Sequence, residues 1–266
     1  PIWEYTEMQM KKLVPRILKK SAFILFLLFS HNSLLMAEET GVKNIVLVHG
    51  AFADGSSWSA VISLLQAQGY HVTAVQNPLI SLQDDVAATK RVLERQNGDV
   101  LLVGHSWAGA VITQAGNAVN VKGLVYLSAL VPDSNQSVSD ALTRFHAPME
   151  GLEADKNGLI WLDKPEIFHE VMANDIGEKQ SQLLAAMQQP MAAAAFTEKV
   201  KAAAWREKPS WYLLTENDNA LAPSVQADFA REAGARILRI QSGHLSMISH
   251  PEAVAAFIVK AARSIH

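Results

Sequence analysis

The stretch that most constrains this chain is Gly104-His105-Ser106-Trp107-Ala108-Gly109. The apolar run Val100–Val103 precedes it, and a run with helical spacing, Val111–Val119, follows. A strand, a sharp turn and a helix are expected, with Ser106 at the apex. Small residues at 104, 108 and 109 suit a turn where strand and helix backbones nearly touch. The helix start aims unpaired backbone N–H groups toward the serine. The pattern G-x-S-x-G would place glycine at 108, where this chain carries Ala108.

Around this stretch the chain alternates between strand and helix from residue 44 onward. Strands are expected at Asn44–Val48, Tyr70–Val75, Val100–Val103, Gly123–Leu127, Ser210–Leu214 and Arg236–Ile240. Helical patterns lie between them: residues 57–69, a run from the N-cap Ser81 to about Gln96, Pro223–Ala233 and Pro251–Ser264. Continuous apolar strands separated by helices predict an α/β fold with a mostly parallel sheet of about six strands, covered on both faces. Right-handed crossovers bring the strand C-termini to one edge, where such sheets bind ligands. Residues 132–205 interrupt the alternation. They lack strand-like runs and are rich in Ala, Met and Gln, so a helical cap over the strand ends is expected.

The first 37 residues read differently. Lys11, Lys12, Arg16, Lys19 and Lys20 precede the apolar run Ala22–Phe29, and Leu35-Met36-Ala37 ends the segment ahead of Glu38 and Glu39. That is the layout of a secretory signal peptide cleaved after Ala37, which implies a periplasmic or secreted protein; an uncleaved anchor is the alternative. Residues 1–9 are left out of the fold reading. Removing residues 1–37 takes away those five basic side chains and Glu4 and Glu7, so the net charge moves from −3 to −6. An acidic body without basic clusters speaks against nucleic acid or an anionic membrane as partner. With no cysteine in the chain, disulfides and thiolate metal sites are excluded.

Three side chains fall at strand ends on the same edge. Ser106 follows the third strand, Asp218 the fifth and His244 the sixth. A hydroxyl nucleophile, a base and an orienting carboxylate are what covalent hydrolysis needs. His244 would take the proton of Ser106, and Asp218 would fix the His244 tautomer. The Trp107 N–H is one expected oxyanion donor. The other comes from the loop after the first strand, as the Ala51 N–H, with Phe52 as its alternative. Asp133, after the fourth strand, is the competing acid, and Glu216 is a weaker one. His49 reads as structural, His105 should face away from the exposed side of Ser106, and His250 should start the last helix. No His/Asp/Glu cluster has metal-ligand spacing, and no cofactor is implied.

From Asn44 onward the chain resembles the α/β-hydrolases, in the compact branch of plant methylesterases, hydroxynitrile lyases and small bacterial esterases. The residues that carry the resemblance are His49-Gly50-Ala51, Gly104-His105-Ser106-Trp107, Leu130-Val131-Pro132-Asp133-Ser134, Asp218 and Gly243-His244. It implies a serine hydrolase that cleaves small carboxylic esters or lactones. Phe52, Trp107 and Leu245 would favour small apolar or aromatic acyl groups. Lyases of this branch carry Lys after the histidine and Thr in place of Gly50. Leu245 and Gly50 therefore disfavour that chemistry, and a ligand-binding relative with little turnover is the other alternative.

Overall fold

The computed structural model describes residues 41–149 and 151–265. The expected signal peptide, residues 1–37, lies outside the described residues. Chain order runs β1 (Asn44–Val48), a 3-10 turn at Gly55–Trp58, α1 (Ser59–Gln66), β2 (His71–Val75), α2 (Leu82–Leu93), β3 (Val100–His105), α3 (Ala108–Ala115) and β4 (Val121–Leu127). Next come α4 (Val138–Arg144), β5 (Leu159–Ile160), α5 (Pro165–Met172), α6 (Glu178–Met187) and β6 (Met191–Ala192). The chain ends with β7 (Ser210–Thr215), α7 (Pro223–Glu232), β8 (Arg236–Ile240), α8 (Ser246–Ser249) and α9 (Pro251–Arg263).

Six strands form one parallel sheet in the order β2-β1-β3-β4-β7-β8. Burial follows position in that order. Every residue of β3 and β7 is buried, whereas the edge strand β8 is largely exposed. This is why the central strands read as unbroken apolar runs. Burying a Val or Leu side chain of this kind contributes about 1.5–3 kcal/mol, and Val100 to Val103 are all fully buried. The helix starts have local causes. The Ser81 side chain accepts from the Asp84 N–H ahead of α2, and Pro165, Pro223 and Pro251 occupy first turns, where a missing N–H costs nothing.

The chain leaves β1 toward β2 and returns to β3 on the other side of β1, so the topology reverses between β1 and β3. Register pairs Val48 with Gly104, His105 with Leu127, and Leu127 with Leu213. The segments after β1, β3, β4, β7 and β8 thus emerge side by side at one sheet edge. Crevices at such reversals are where ligands bind in open parallel sheets.

The excursion between β4 and β7 departs from expectation in one respect. Besides three helices it holds a two-stranded antiparallel ladder, with Leu159 opposite Ala192 and Ile160 opposite Met191. Each strand is two residues long, too short for any alternation to register in the sequence. The excursion meets the sheet edge through polar contacts as well as packing. Gln189 Nε2 donates to the Asn77 carbonyl at 2.8 Å, and the Ala192 N–H donates to the Leu79 carbonyl at 2.9 Å.

Candidate active site

Ser106 has a φ of +53°, a left-handed conformation that a side chain rarely adopts and that costs about 1–3 kcal/mol. Three backbone hydrogen bonds hold it there. The Ser106 N–H donates to Leu127 O at 3.0 Å, and Ser106 O accepts from the N–H groups of Gly109 and Leu130 at 2.9 and 3.1 Å. Glycine is required at positions of close approach. A Cβ at Gly104 would lie 2.8 Å from Ala108 O, and one at Gly109 would lie 2.2 Å from Leu130 O. A Cβ at Gly50 would meet Ser106 Cβ and His105 Nδ1, each at 2.9 Å. Position 108 tolerates a methyl group, and Ala108 is fully buried.

His244 Nε2 lies 2.9 Å from Ser106 Oγ, and His244 Nδ1 lies 2.7 Å from Asp218 Oδ2. The structure therefore brings the three expected residues into one hydrogen-bonded chain. Asp218 Oδ2 also accepts from Thr215 Oγ1 and Gln226 Nε2, both at 2.9 Å, and Oδ1 accepts the N–H groups of Ala220 and Leu221 at 2.8 Å. Burial would push this carboxyl up. His244, the Leu221 N–H and the Thr215 hydroxyl outweigh it, and its pKa falls below the ordinary value. Asp218 is ionised beside the imidazole and has no free lone pair directed elsewhere.

His49 and His105 serve the structure around the site. Both are buried, and burial outweighs the carbonyl hydrogen bonds and nearby carboxylates that favour the charged form, holding both below the usual imidazole range, so both are neutral. His49 Nδ1–H donates to Gly50 O at 2.8 Å, leaving Nε2 to accept the Asn77 N–H at 2.9 Å. This fixes the loop after β1. His105 lies beneath His244 with ring centroids 4.7 Å apart, and its Nε2–H donates to the His244 carbonyl at 2.9 Å. His250 sits at the start of α9, as expected.

Neither competing acid reaches the histidine. Asp133 is engaged by Arg206 in a two-pronged ion pair, which draws its pKa down. Glu216 pairs with Arg239 at 2.9 Å. Among the described residues, no protein acceptor meets the backbone N–H of Ala51, Phe52 or Trp107. Phe52 and Leu245 line one narrow cleft with Phe168, Leu184 and Met187 of the excursion, of cavity volume about 20 Å³. Trp107 departs from expectation. It is almost fully buried away from that cleft, with its indole N–H donating to Asp85 Oδ2 at 2.7 Å and its ring edge-on to Phe196 at 5.2 Å.

Residues 45–257 match the model of the alpha/beta hydrolase family. The chain belongs to the alpha/beta hydrolase family. Among its relatives, alpha/beta hydrolase nvfD of Aspergillus novofumigatus is 26% identical over 240 residues, covering 82% of this chain and 96% of that one. Methylesterase 1 of Arabidopsis thaliana is 31% identical over 159 residues, covering 50% of this chain and 60% of its own. The crystal structure of polyneuridine aldehyde esterase superposes with a TM-score of 0.71 at 19% identity, covering 82% of this chain and 98% of that one.

Three polar groups of this hydrolase's site carried little signal in the sequence. Gln226 lies within α7 and looks like an ordinary helix-surface residue. Asp175 lies in the excursion. Asp85 sits in the first turn of α2, where exposed carboxylates are common, but it is fully buried and accepts the Leu79 N–H at 2.8 Å as well as the Trp107 indole. Burial outweighs those two donors and pushes Asp85 up to about 6. The sign of the consequence follows. Between about pH 4 and pH 6 the folded state holds a proton that the unfolded state has released, so stability falls as pH rises through that window. By pH 7 the cost reaches about 3 kcal/mol at 1.36 kcal/mol per unit. Urea unfolding of wild type and Asp85→Asn at pH 4 and pH 7 checks this: the variant should gain about 2–3 kcal/mol on the wild type over that rise. A pH-independent difference would sink the assignment.

Proposed function

We propose that this hydrolase cleaves small carboxylic esters or lactones through an acyl-enzyme intermediate on Ser106. The observation that carries the reading is the continuous Ser106–His244–Asp218 hydrogen-bond chain, at 2.9 and 2.7 Å, at the sheet's reversal point. Esterase names among its curated relatives support the same reaction class.

In this reading His244 Nε2 takes the Ser106 proton as Oγ attacks the ester carbonyl, and the carbonyl oxygen becomes an oxyanion. The Trp107 N–H and the Ala51 N–H receive that charge; having no protein acceptor, they need no rearrangement to do so. His244 then gives its proton to the leaving alkoxide, which departs as the alcohol. Water repeats the sequence on the acyl-enzyme, releasing the acid and restoring Ser106. Asp218 stays ionised throughout and stabilises the imidazolium. Gly50 packs directly against Ser106 and His105 with no room for a side chain, and Leu245 supplies no cation for a cyanide leaving group, so ester hydrolysis is favoured over cyanohydrin cleavage.

The narrow cleft lined by Phe52 and Leu245, neighbours of the oxyanion loop and of His244, supports a small acyl group. A cavity of about 20 Å³ is close to the room one water needs. Hydrolysis of p-nitrophenyl esters from acetate to dodecanoate tests the proposal. Acetate or butyrate should turn over fastest, with kcat/KM at least tenfold lower for dodecanoate. An optimum at dodecanoate would overturn the small-substrate reading. Intact ester throughout, with folded protein, would overturn the hydrolase reading and favour ligand binding without turnover.

A further inference from the structure

The short segment between α5 and α6 reaches from the excursion to both loops that carry the acid and the base. Asp175 Oδ2 accepts the Gly243 N–H at 2.8 Å and lies 3.2 Å from Ser242 Oγ. Its neighbour Asn174 donates from Nδ2 to the carbonyl of Asn217, next to Asp218, at 2.8 Å. Asn219, on the other side of Asp218, donates from Nδ2 to Glu170 O at 2.9 Å. The two loops are also joined directly, the Asn217 N–H donating to Ser242 O at 3.0 Å.

Gly243 carries an independent trace of this contact. Its backbone is not in the left-handed region, so its conformation does not call for glycine. A Cβ there would instead lie 2.2 Å from Asn174 Oδ1 and 2.6 Å from Asp175 Oδ1. Glycine precedes His244 because the excursion presses on the loop at that point.

We propose that Asp175 is a positioning residue, which holds the Gly243 N–H so that His244 stays aligned with Ser106, and that the excursion thereby sets the geometry of the reacting groups. The proposal rests on the Ser106 esterase reading. Asp175 touches neither substrate nor reacting atoms; it acts through the loop backbone. A hydrogen-bond acceptor is what the position requires. Asparagine supplies one, and alanine does not.

The test is the rate at which p-nitrophenyl diethyl phosphate modifies Ser106, read beside p-nitrophenyl acetate kinetics. Wild type should be modified and Ser106→Ala should not; an unmodified wild type would overturn the esterase reading and this proposal with it. With wild type modified, Asp175→Ala should react about tenfold more slowly, with kcat lowered by a similar factor and KM within twofold. Asp175→Asn should stay within threefold of wild type. Gly243→Ala, whose methyl group would push the Asp175 carboxylate off the loop, should reproduce the loss and keeps the test open if Asp175→Ala fails to fold. The far-downfield proton signal of the His244–Asp218 bond should persist in Asp175→Asn and broaden in Asp175→Ala. Wild-type rates in both Asp175→Ala and Gly243→Ala, or a loss in Asp175→Asn as large as in Asp175→Ala, would overturn the proposal.

Discussion

Ser106→Ala is expected to lower kcat for p-nitrophenyl acetate by at least about a thousandfold, with KM and melting temperature close to wild type. The size follows from what the substitution removes. Without Oγ no acyl-enzyme forms, and what remains is binding and the oxyanion donors, which in serine hydrolases sustain only the last few decades of rate enhancement. The fold should survive. Ser106 holds its left-handed backbone through main-chain hydrogen bonds to Leu127, Gly109 and Leu130, none of which uses the side chain. Alanine meets the same strain as serine at this φ and fills the same space less one oxygen. Steady-state kinetics with circular dichroism checks the expectation, and retention of more than about a tenth of wild-type turnover would remove Ser106 as nucleophile.

Asp218→Asn should be nearly as damaging, with kcat down by about three to four decades, whereas Asp133→Asn should stay within threefold of wild type. Both oxygens of Asp218 face donors: backbone N–H groups at Oδ1, and His244, Thr215 and Gln226 at Oδ2. An amide must turn its NH₂ toward one of those sets, so it either loses the turn at Ala220 and Leu221 or presents a donor to His244. The second arrangement favours the wrong imidazole tautomer, the cause of large losses when a triad acid becomes an amide. Asp133→Asn keeps an oxygen for the Ser134 N–H and loses the charge of a partly exposed ion pair with Arg206, and such pairs contribute about 0–1 kcal/mol. The reverse pattern would move the acid to the end of β4. A pH dependence follows from the same carboxylate. Its folded pKa is depressed, so the stability it contributes is present above the ordinary carboxylate value and is lost as pH falls below about 4.

Much of this arrangement was legible in the residues. β1 and β8 coincide with their expected spans, and the other four sheet strands differ at their ends by two residues or fewer. A strand buried on both faces must be apolar throughout, so runs such as Val100–Val103 announce themselves. The Ser–Asp–His order was equally readable, since each residue follows a strand and parallel crossovers deliver strand ends to one edge. What stayed hidden depends on contacts between distant segments. Asp85 meets Trp107 across the fold, and Asp175 meets Gly243 through a short link between helices; neither has a local pattern. Trp107 differs from expectation for the same reason. Its place beside Ser106 suggested the cleft, but helix α3 turns its indole inward to Asp85. The β5–β6 ladder is simply too short to have a period.

The insertion of the excursion between neighbouring strands has a consequence for how such chains vary. β4 and β7 are parallel neighbours, so the chain leaves the sheet at the C-terminal end of β4 and crosses back to the opposite end to begin β7. The entropy of closing such a loop grows only logarithmically, about 0.6 kcal/mol for each doubling of its length. Lengthening or shortening this stretch beyond Leu130, whose N–H holds Ser106 O, therefore costs the sheet little, and substrate range can drift by insertion and deletion while the strands stay fixed. The tether from Asn174 and Asp175 marks the part of that stretch where such drift should stop.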